Sequence, residues 1–439
     1  MNIAIYGYGE YGKGRSKALK LYWGGEHTVT AIFDRKAEGF DAYWQLPVES
    51  PSELVGKFRK GIFEAVYVCI ANPDSYGSVK EFLCENDVPL FSAGHPEDLV
   101  PASEFGEQCE PPIDLGVDGY KLYVFKSAML TKPISRGLGY WLVFDSEGKI
   151  LDEYYSKYID SNMRFYEYIP FRLKEAVVEK IFYPGEYCNL VKLYDLNYWH
   201  FTTQCMDCVA LLENAGFKGK YIVRDQSFRH ELLALFGIGP ERILDITSMP
   251  SQAVCVFEYL YCPEPESTKY NNEANAKAIV SFSNKMTAGL SRDQSSTGKL
   301  LYIERIGMRR LLNGAEFAKK HGFEVYIPDG HTVTEQIKAF YNADIILCPH
   351  GANSTNCIYM RPGTVFIELF SKQWNFDINS GFLKEKGVVH IKASGPAVEP
   401  GPTFAERIKN DYIISEEILL EKLLEGEQII NNRTSATNE

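Results

Sequence analysis

The sequence predicts an α/β protein, and three observations lead to this fold class. Short apolar runs that suit buried parallel strands alternate along most of the chain with segments that suit helices. Glycine-containing turns follow two of these runs, at Gly7 and at Gly351. With 439 residues, of which 45% are hydrophobic, the chain is long enough for two or three domains with separate cores.

The first apolar runs predict a Rossmann-like domain at residues 1–105. Its strands are expected at Ile3–Tyr6, Thr28–Phe33 and Ala65–Ile70. Gly7, Gly9 and Gly12 form a glycine motif after the first strand, and Asp34 follows the second strand at the offset where an acid meets a ribose hydroxyl. These four residues are candidates for binding an NAD(P)-like ligand. The same glycines would also allow a strand to pack closely on a helix, and both interpretations stay open.

Residues 106–290 predict a β-rich entry followed by a second α/β unit. The runs Tyr120–Phe125 and Tyr140–Phe144 have the aromatic and β-branched composition of antiparallel strands. Further along, a helix that starts near Phe201 is followed by the strand runs Lys220–Arg224 and Arg242–Ile246.

Residues 291–425 predict a third unit of the same kind, and residues 426–439 predict a disordered tail. The strands of this unit are expected at Lys299–Ile303, Glu324–Ile327, Ala343–Cys348 and Thr364–Phe370. The tail is polar from Asn431 onward, which is typical of disordered chain ends.

Composition narrows the class of function. The formal net charge of -12 argues against a nucleic-acid-binding protein but leaves room for a local phosphate site. The chain begins with a strand rather than a leader, and no apolar run approaches the roughly 20 residues needed to span a bilayer. The ten cysteines are scattered through strand and helix segments, as in reduced proteins. We therefore expect a cytoplasmic protein without a transmembrane segment or a nucleic-acid partner, and an oligomer is compatible with the sequence.

The segment His350-Gly-Ala-Asn-Ser-Thr-Asn356 predicts an anion site. It follows a short buried strand and opens a helix, where free backbone N–H groups favour a phosphate. Arg305, Arg309 and Arg310 follow another strand of this unit, and guanidinium groups there suit a diphosphate. Glu368, the one acid in the last apolar run, is expected to accept from ribose hydroxyls, and His350 to donate to a phosphate or a leaving oxygen. Together these residues predict a nucleotide-diphosphate site at the carboxyl ends of parallel strands.

In their order along the chain, these motifs resemble glycosyltransferase family 61. The resemblance covers roughly residues 195–425. It rests on Arg305-x-x-x-Arg309-Arg310-x-x-Asn313, Glu335-Gln336 with Phe340 and Ala343-Asp344, His350-Gly-Ala-x-x-Thr-Asn356, Pro362-Gly-Thr-Val-x-x-Glu368, and the upstream segment Asn197-Tyr-Trp-His-Phe201. The family pattern has an acid four residues after His200, whereas this chain has Gln204 there and Asp207 one turn later.

The resemblance implies a GT-B architecture, with an acceptor half at residues 106–290 and a nucleotide-sugar half at residues 291–425. It implies an inverting, metal-independent hexosyl- or pentosyltransferase whose donor is a nucleotide-diphosphate sugar of UDP type, with no other cofactor. The acceptor would be a polysaccharide of the capsule or lipopolysaccharide kind, a lipid-linked glycan or a protein. His200 and Asp207 are the candidates for the base that deprotonates the acceptor hydroxyl. The donor-binding residues implied by the matching motifs are Arg305, Arg309, Arg310, His350, Gly351, Ala352, Thr355, Asn356 and Glu368.

Two other classes of function stay open. An NAD(P)-dependent oxidoreductase would use the glycine motif of residues 1–105 and hold its substrate in the later domains. A non-catalytic nucleotide-binding protein would keep a degenerate transferase half, and Gln204 in place of the expected acid is the feature that favours this interpretation.

Overall fold

The fold is mixed α/β with several sheets, which confirms the predicted class. The computed structural model describes residues 1–9, 12–13, 16, 27–36, 39–70, 73–91, 99–100, 107–108, 122–131, 142–145, 149–151, 179–191, 197–224, 227–246, 253–263, 273–292, 299–401 and 404–436. The GT-B arrangement, the Rossmann-like character of residues 1–105 and the domain boundaries stay predictions.

The described strands and helices have the following bounds. The strands are β1 (Asn2–Tyr6), β2 (Thr28–Phe33), β3 (Phe40–Asp41), β4 (Leu46–Glu49), β5 (Ala65–Val68), β6 (Leu99–Val100), β7 (Glu107–Gln108), β8 (Leu122–Thr131), β9 (Leu142–Phe144), β10 (Ile150–Leu151), β11 (Glu179–Asn189), β12 (Lys220–Val223), β13 (Ile243–Asp245), β14 (Ala253–Pro263), β15 (Leu300–Ile303), β16 (Glu324–Tyr326), β17 (Ile345–Pro349), β18 (Val365–Ser371) and β19 (Val389–Gly395). The α-helices are α1 (Leu54–Arg59), α2 (Pro73–Glu85), α3 (Tyr198–Gln204), α4 (Met206–Asn214), α5 (Ser227–Phe236), α6 (Glu273–Thr287), α7 (Gly314–Lys320), α8 (Val333–Asn342), α9 (Ser380–Lys386), α10 (Phe404–Arg407) and α11 (Glu416–Ala436), and 3-10 helices span Pro51–Glu53, Pro240–Arg242 and Ala352–Tyr359.

The chain divides into two compact units, each built from several segments. The first comprises Met1–Ile113, Leu122–Leu193 and Thr247–Pro265, and the second comprises Asp114–Lys121, Tyr194–Ile246 and Glu266–Glu439.

One sheet of the first unit has the strand order β3-β4-β2-β1-β5. Strand β1 lies between β2 and β5, and both neighbours run parallel to it. Alternate residues of β1 enter different cores, because successive side chains of a strand point to opposite faces: Ile3 and Ile5 lie in one cluster, and Ala4 and Tyr6 in the other. The second cluster includes Leu54 of α1 and Leu83 of α2, so these two helices cover one face of a sheet whose strands were expected from their apolar runs.

The other sheet of the first unit is centred on two long strands. Strand β8 pairs antiparallel with β14, β9 and β7, and β14 pairs in parallel with β11. Antiparallel strands are thus present where the aromatic runs predicted them. Tyr120, Lys121, Tyr140 and Trp141 of those runs lie outside the described residues.

A parallel sheet forms the centre of the second unit. Its strand order is β16-β15-β17-β18-β19, and every neighbouring pair is parallel. All the residues of β17 and β18 are buried, which explains why these strands are continuous apolar runs. The second unit also contains the parallel pair formed by β12 and β13.

The end of the chain corrects one prediction. Helix α11 continues to Ala436, so residues 426–436 are helical rather than disordered. The apolar side chains of Ile429 and Ile430 pack against the core of the parallel sheet, and this contact stabilises a helix that the polar composition did not predict. Within the described part of the chain, no helix is long and apolar enough to span a membrane.

Candidate functional site

Two segments of the predicted anion site meet at the point where the chain reverses the direction in which it adds strands to the parallel sheet. The chain passes from β15 to β16 on one side and then crosses to β17 on the other side of β15. Such a crossover opens a crevice at the carboxyl ends of the two central strands. Arg305 lies just after the end of β15, and His350 directly follows β17. The sequence therefore brings both residues to the position where open α/β sheets bind ligands.

Arg305 lies directly against the glycine turn. Its Nη1 atom is 3.4 Å from the carbonyl oxygen of His350, and its Nε donates to the carbonyl oxygen of Met308. A Cβ atom at position 351 would lie 1.5 Å from Nη1 of Arg305. Gly351 is therefore needed for close approach, and the turn and the guanidinium occupy adjoining positions. Burial lowers the pKa of Arg305.

Arg309 is the second guanidinium of the site. Its φ angle of 56° is left-handed, a backbone conformation that costs a residue with a side chain of order 1 kcal/mol or more. The guanidinium lies 5.0 Å from the centre of the Trp374 ring, and its Nε atom is buried without a hydrogen-bond partner. Burial and the neighbouring charge of Arg305 lower the pKa of Arg309 to about 10.

The two guanidiniums form a positive site without an ion-paired carboxylate among the described residues. Among the described residues, no carboxylate forms an ion pair with Arg305 or Arg309. Two partly buried charges of one sign repel each other, and an anion between or beside them would relieve that repulsion and satisfy their donors. This arrangement suits a phosphate or diphosphate.

Arg310 has a different partner from its neighbour in the sequence. Its Nε and Nη2 atoms donate to Oδ2 of Asp411 at 3.0 and 2.6 Å, and its backbone N–H donates to Oδ1 at 2.8 Å. This side chain is exposed and anchors the loop to the segment that contains Asp411. Arg310 thus forms an ion pair with Asp411, and its expected place among the donor-binding residues stays a prediction.

Glu368 holds the His350 ring from inside the sheet. Its Oε1 atom is 2.7 Å from Nδ1 of His350 and accepts from the Asn379 amide at 2.8 Å, while Oε2 is 2.9 Å from Nε2 of His390. Glu368 is fully buried. Burial alone would raise its pKa, but the hydrogen bonds from the two histidines outweigh burial and lower the pKa to about 2.

These contacts engage both carboxylate oxygens of Glu368. Its oxygens accept from protein side chains, and the ribose contact expected from the sequence stays a prediction. The ionised carboxylate fixes the orientation of His350, whose ring also stacks on Phe370 with 4.8 Å between ring centres.

The 3-10 helix Ala352–Tyr359 replaces the helix start that was expected after the glycine turn. Thr355 donates from its hydroxyl to the carbonyl oxygen of Ala352 at 2.6 Å. Asn356 is fully buried, with its Oδ1 accepting from the Tyr198 hydroxyl at 2.8 Å and its Nδ2 donating to Gln336 at 2.9 Å. The side chains of Thr355 and Asn356 therefore shape the segment, and the first N–H groups of the 3-10 helix remain the donors that a ligand would meet.

His200 forms a pair with the residue that stands where an acid was expected. In helix α3 its Nδ1 lies 2.5 Å from Oε1 of Gln204, one helical turn later. An amide oxygen only accepts, so Nδ1 carries the proton and Nε2 carries the free electron pair. Burial lowers the pKa of His200 and outweighs the opposing effect of this hydrogen bond. The neutral form of His200 is therefore favoured.

Asp207, the other candidate base, is buried and forms hydrogen bonds with protein groups. It is 3% exposed, in the first turn of helix α4. One oxygen accepts from the Asn275 amide at 2.9 Å, and the other accepts from the backbone N–H of Cys208 at 2.6 Å. A carboxylate at a helix start with these partners stabilises the helix, and the expectation that Asp207 is a base stays a prediction.

A cavity of about 550 Å³ lies beside the 3-10 helix. Its size is typical of small-molecule sites. Aromatic and polar side chains from α3, α5, α8 and the loop after β16 line it, among them Tyr198, Phe228, Asp329, His331, Gln336 and Asn353. The cavity therefore offers both ring faces and hydrogen-bonding groups.

Packing explains two of the three glycines in the motif of the first unit. A Cβ atom on Gly12 would lie 1.8 Å from the carbonyl oxygen of Gly7, and Gly7 itself has a φ angle of +88°. Gly9 accepts from the Lys13 backbone at 2.9 Å. Asp34, expected to meet a ribose, accepts instead from the backbone N–H of Tyr8 at 2.6 Å. Gly7 and Gly12 are thus required by the turn, whereas a Cβ atom on Gly9 would meet nothing within 4 Å, and an NAD(P)-like ligand stays a prediction.

Three residues near the anion site were not expected from the sequence. Trp374 follows β18 and lies beside Arg309, Asn379 donates to Glu368, and His390 on β19 shares the same carboxylate. The one available signal was a histidine on the strand after the acid-containing strand, because neighbouring parallel strands can bring such residues together.

Comparison with known proteins shows that the part of the chain containing this site resembles a known family. Residues 198–367 match the family model described as Glycosyltransferase 61. The match confirms the resemblance carried by the motifs, and it includes His200, Arg305 and His350 but ends before Glu368 and His390. A comparison with curated proteins found no match.

Proposed function

We propose, because residues 198–367 belong to the glycosyltransferase 61 family, that this chain transfers a sugar from a nucleoside-diphosphate sugar to an acceptor hydroxyl with inversion of configuration. The family indicates a glycosyltransferase, which binds a nucleotide sugar and an acceptor. The donor class, the inversion and a metal-independent departure of the diphosphate are the parts that we propose.

The pair of arginines at the crevice carries the proposal. Arg305 and Arg309 present partly buried guanidiniums that form no ion pair among the described residues, beside the glycine turn that follows His350. When the bond between the sugar and the diphosphate breaks, its electron pair goes to the diphosphate oxygen. Fixed positive groups stabilise the charge that develops there, which is how a site without a cation can favour departure.

His200 is the proposed base for the acceptor. Its Nε2 electron pair would take the proton from the acceptor hydroxyl while that oxygen forms the new bond to the anomeric carbon. Gln204 fixes the tautomer through Nδ1, and it does so without adding a negative charge. The helix that carries His200 is tied to the segment after His350 by the bond from Tyr198 to Asn356, at 2.8 Å.

The cavity beside the 3-10 helix supports a donor that contains a ring system. We propose that it receives the nucleoside or the sugar of a donor of UDP type, with Tyr198 and Phe228 offering ring faces and Gln336 offering an amide. We also propose that the acceptor is a polysaccharide, a lipid-linked glycan or a protein. No contact in the described residues favours the oxidoreductase alternative, since Asp34 is already bonded to Tyr8.

A binding panel with the native chain tests the donor class. We expect UDP to raise the unfolding temperature more than UMP or uridine, because a ligand that binds only the native state stabilises it and the arginine pair selects the diphosphate. Release of nucleoside diphosphate from a panel of nucleotide sugars then reports turnover. Arg305→Ala should lose both the UDP effect and turnover. Native chain that neither binds any nucleoside diphosphate nor releases one from any donor would contradict the proposal.

A further inference from the structure

Two aromatic side chains follow strand β18, at the same edge of the parallel sheet as the arginines of the anion site. The chain turns back after Ser371, where the backbone N–H of Trp374 donates to the carbonyl oxygen of Ser371 at 2.8 Å. The rings of Trp374 and Phe376 then meet edge to face, with 4.7 Å between ring centres. Strand β18 is the neighbour of β17, which ends just before His350. The aromatic pair of Trp374 and Phe376 therefore belongs to the loops around the anion site.

Trp374 connects this aromatic pair to a phosphate-binding guanidinium. The guanidinium of Arg309 lies over the Trp374 ring, 5.0 Å from the ring centre. An aromatic face attracts a cation without neutralising it, so the ring orients the guanidinium and leaves its charge for an anion. The backbone of Arg309 is held as well, because its N–H donates to the carbonyl oxygen of Lys409 at 3.2 Å. A phosphate bound by Arg309 would therefore lie next to the aromatic pair.

Hydrogen bonds fix the turn on both sides of the aromatic pair. Before the pair, Oε1 of Gln373 accepts from the backbone N–H of Gly401 at 3.3 Å. After the pair, the carboxylate of Asp377 accepts from the hydroxyl of Ser380 at 2.8 Å. A binding site needs side chains that are presented by a well-supported segment, and this turn meets that requirement.

Phe376 is open to solvent, with 52% of its surface exposed. An exposed ring beside a phosphate site suits a sugar, because the C–H face of a sugar ring packs on an aromatic face while its hydroxyl groups stay in water. We propose that Trp374 and Phe376 form the subsite for the transferred sugar of the donor. Phe376 packs against the sugar ring, and Trp374 positions both Phe376 and Arg309. This inference rests on the proposed function, because it assumes a nucleoside-diphosphate sugar as the ligand.

The order of the strands separates the sugar from the nucleoside. The cavity of about 550 Å³ is lined by the loop after β16, the aromatic pair follows β18, and β15 and β17 lie between these two strands. Arg305 and His350 follow the two central strands, so a diphosphate there would lie between the cavity and the aromatic pair. An acceptor must reach the sugar from solvent, whereas the nucleoside does not react and can be enclosed. The exposed aromatic pair therefore suits the sugar, and the concave cavity suits the nucleoside.

The assignment of Phe376 is tested by comparing ligands with and without a sugar. The probes are UDP and the nucleotide sugar that the native chain turns over, chosen from a panel that includes UDP-glucose and UDP-xylose. We expect Phe376→Ala to weaken the binding of the nucleotide sugar by about threefold to tenfold in titration calorimetry, and to leave UDP affinity close to native. Phe40→Ala removes a ring that is 61% exposed in the other unit, and it should bind both probes as the native chain does.

Two further replacements at position 376 separate ring stacking from apolar bulk. Phe376→Tyr keeps the ring and should restore the affinity for the nucleotide sugar, whereas Phe376→Leu keeps an apolar side chain without a flat face and should not. Native-like affinity of Phe376→Ala for the nucleotide sugar would overturn the subsite. An equal loss for UDP and for the nucleotide sugar would overturn the assignment to the sugar, because the ring would then contact the nucleoside or act through the arginine.

Trp374 is tested with inorganic diphosphate, which has neither a sugar nor a nucleoside. Trp374→Leu should weaken the binding of inorganic diphosphate and of UDP by a similar factor, because it releases the guanidinium of Arg309. Trp374→Phe keeps an aromatic face and should recover much of this affinity. Native-like binding of diphosphate by Trp374→Leu would overturn the positioning role. A native chain that binds no nucleoside diphosphate and turns over no donor contradicts the proposed function itself, and this failure is visible without any variant.

Discussion

The guanidinium of Arg305 lies against the backbone at His350, with Nη1 3.4 Å from the carbonyl oxygen. The two residues come from neighbouring strands of the parallel sheet, β15 and β17. Because residue 351 lacks a side chain, the guanidinium can occupy the volume beside the turn. This contact places the guanidinium of Arg305 beside the backbone N–H groups that follow the glycine turn. Gly351 is therefore as important to the site as a charged residue.

Gly351→Ala should therefore weaken ligand binding although it removes no charge. The new methyl group would lie 1.5 Å from Nη1 of Arg305 and must displace the guanidinium. A charge-assisted hydrogen bond contributes about 1.5–3 kcal/mol, so we expect UDP affinity to fall by about tenfold to a hundredfold in titration calorimetry. Gly289→Ala is the matched control, because nothing lies within 4 Å of a Cβ atom there. Equal affinities in the two variants would show that the contact with Arg305 is not part of the binding site.

The positions of Arg305 and His350 were predictable from the sequence for a physical reason. Both follow apolar runs that are too short and too continuous for surface helices, and the ends of parallel strands meet at one edge of a sheet. The order of the apolar runs was therefore enough to predict that the two segments lie close together. The acid Glu368 was also recognisable, because a carboxylate inside a buried strand needs partners.

The partners themselves were not predictable, since they depend on residues far along the chain. Arg309 and Arg310 are equivalent in sequence, and only the position of Asp411, about a hundred residues later, separates the free guanidinium from the paired one. The hydrogen bonding of Asp207 likewise depends on Asn275, which lies 68 residues later in the chain. The register of β18 against β19 places His390 beside Glu368, and register is set by tertiary packing rather than by local pattern.

Separate replacement of the two adjacent arginines should affect UDP affinity to different extents. Arg309→Ala removes a guanidinium that has no carboxylate partner, and we expect UDP affinity to fall by about tenfold or more. Arg310→Ala removes an exposed ion pair with Asp411, which solvent screens, and it should bind UDP with nearly native affinity. Titration calorimetry at one ionic strength compares the two. A larger loss in Arg310→Ala would contradict the assignment of the site to Arg309.

Glu368→Gln should remove an acid-sensitive part of the stability. The folded-state pKa of Glu368 is lowered from 4.5 to about 2, so the carboxylate stabilises the fold fully above pH 4.5 and loses this contribution as the pH falls towards 2. The shift corresponds to about 3 kcal/mol. Urea unfolding should therefore show a stability difference between the native chain and Glu368→Gln that is constant near neutral pH and shrinks below pH 4.5. Glu399→Gln, at an exposed position, is the control, and a difference that grows on acidification would contradict the predicted sign.

The pair formed by His200 and Gln204 allows a test of the base by moving its pKa in a known direction. Gln204→Glu would place a carboxylate where the amide oxygen now lies 2.5 Å from Nδ1. A negative charge stabilises the imidazolium and opposes the effect of burial, so the pKa of His200 should rise. The base is active only when neutral. The acidic limb of the kcat/KM profile should therefore move to higher pH by about one unit.

His200→Gln completes this test, because it keeps a polar side chain but removes the base. Turnover should fall by about a hundredfold to ten-thousandfold, the usual contribution of a positioned base, while UDP affinity stays close to native because the arginines are untouched. Gln45→Glu makes the same charge change at an exposed position of the other unit and should leave the pH profile unchanged. If Gln204→Glu leaves the acidic limb in place while His200→Gln retains turnover, the proton is taken by another group. A shifted limb together with lost turnover in His200→Gln would identify Nε2 of His200 as the atom that takes the acceptor proton.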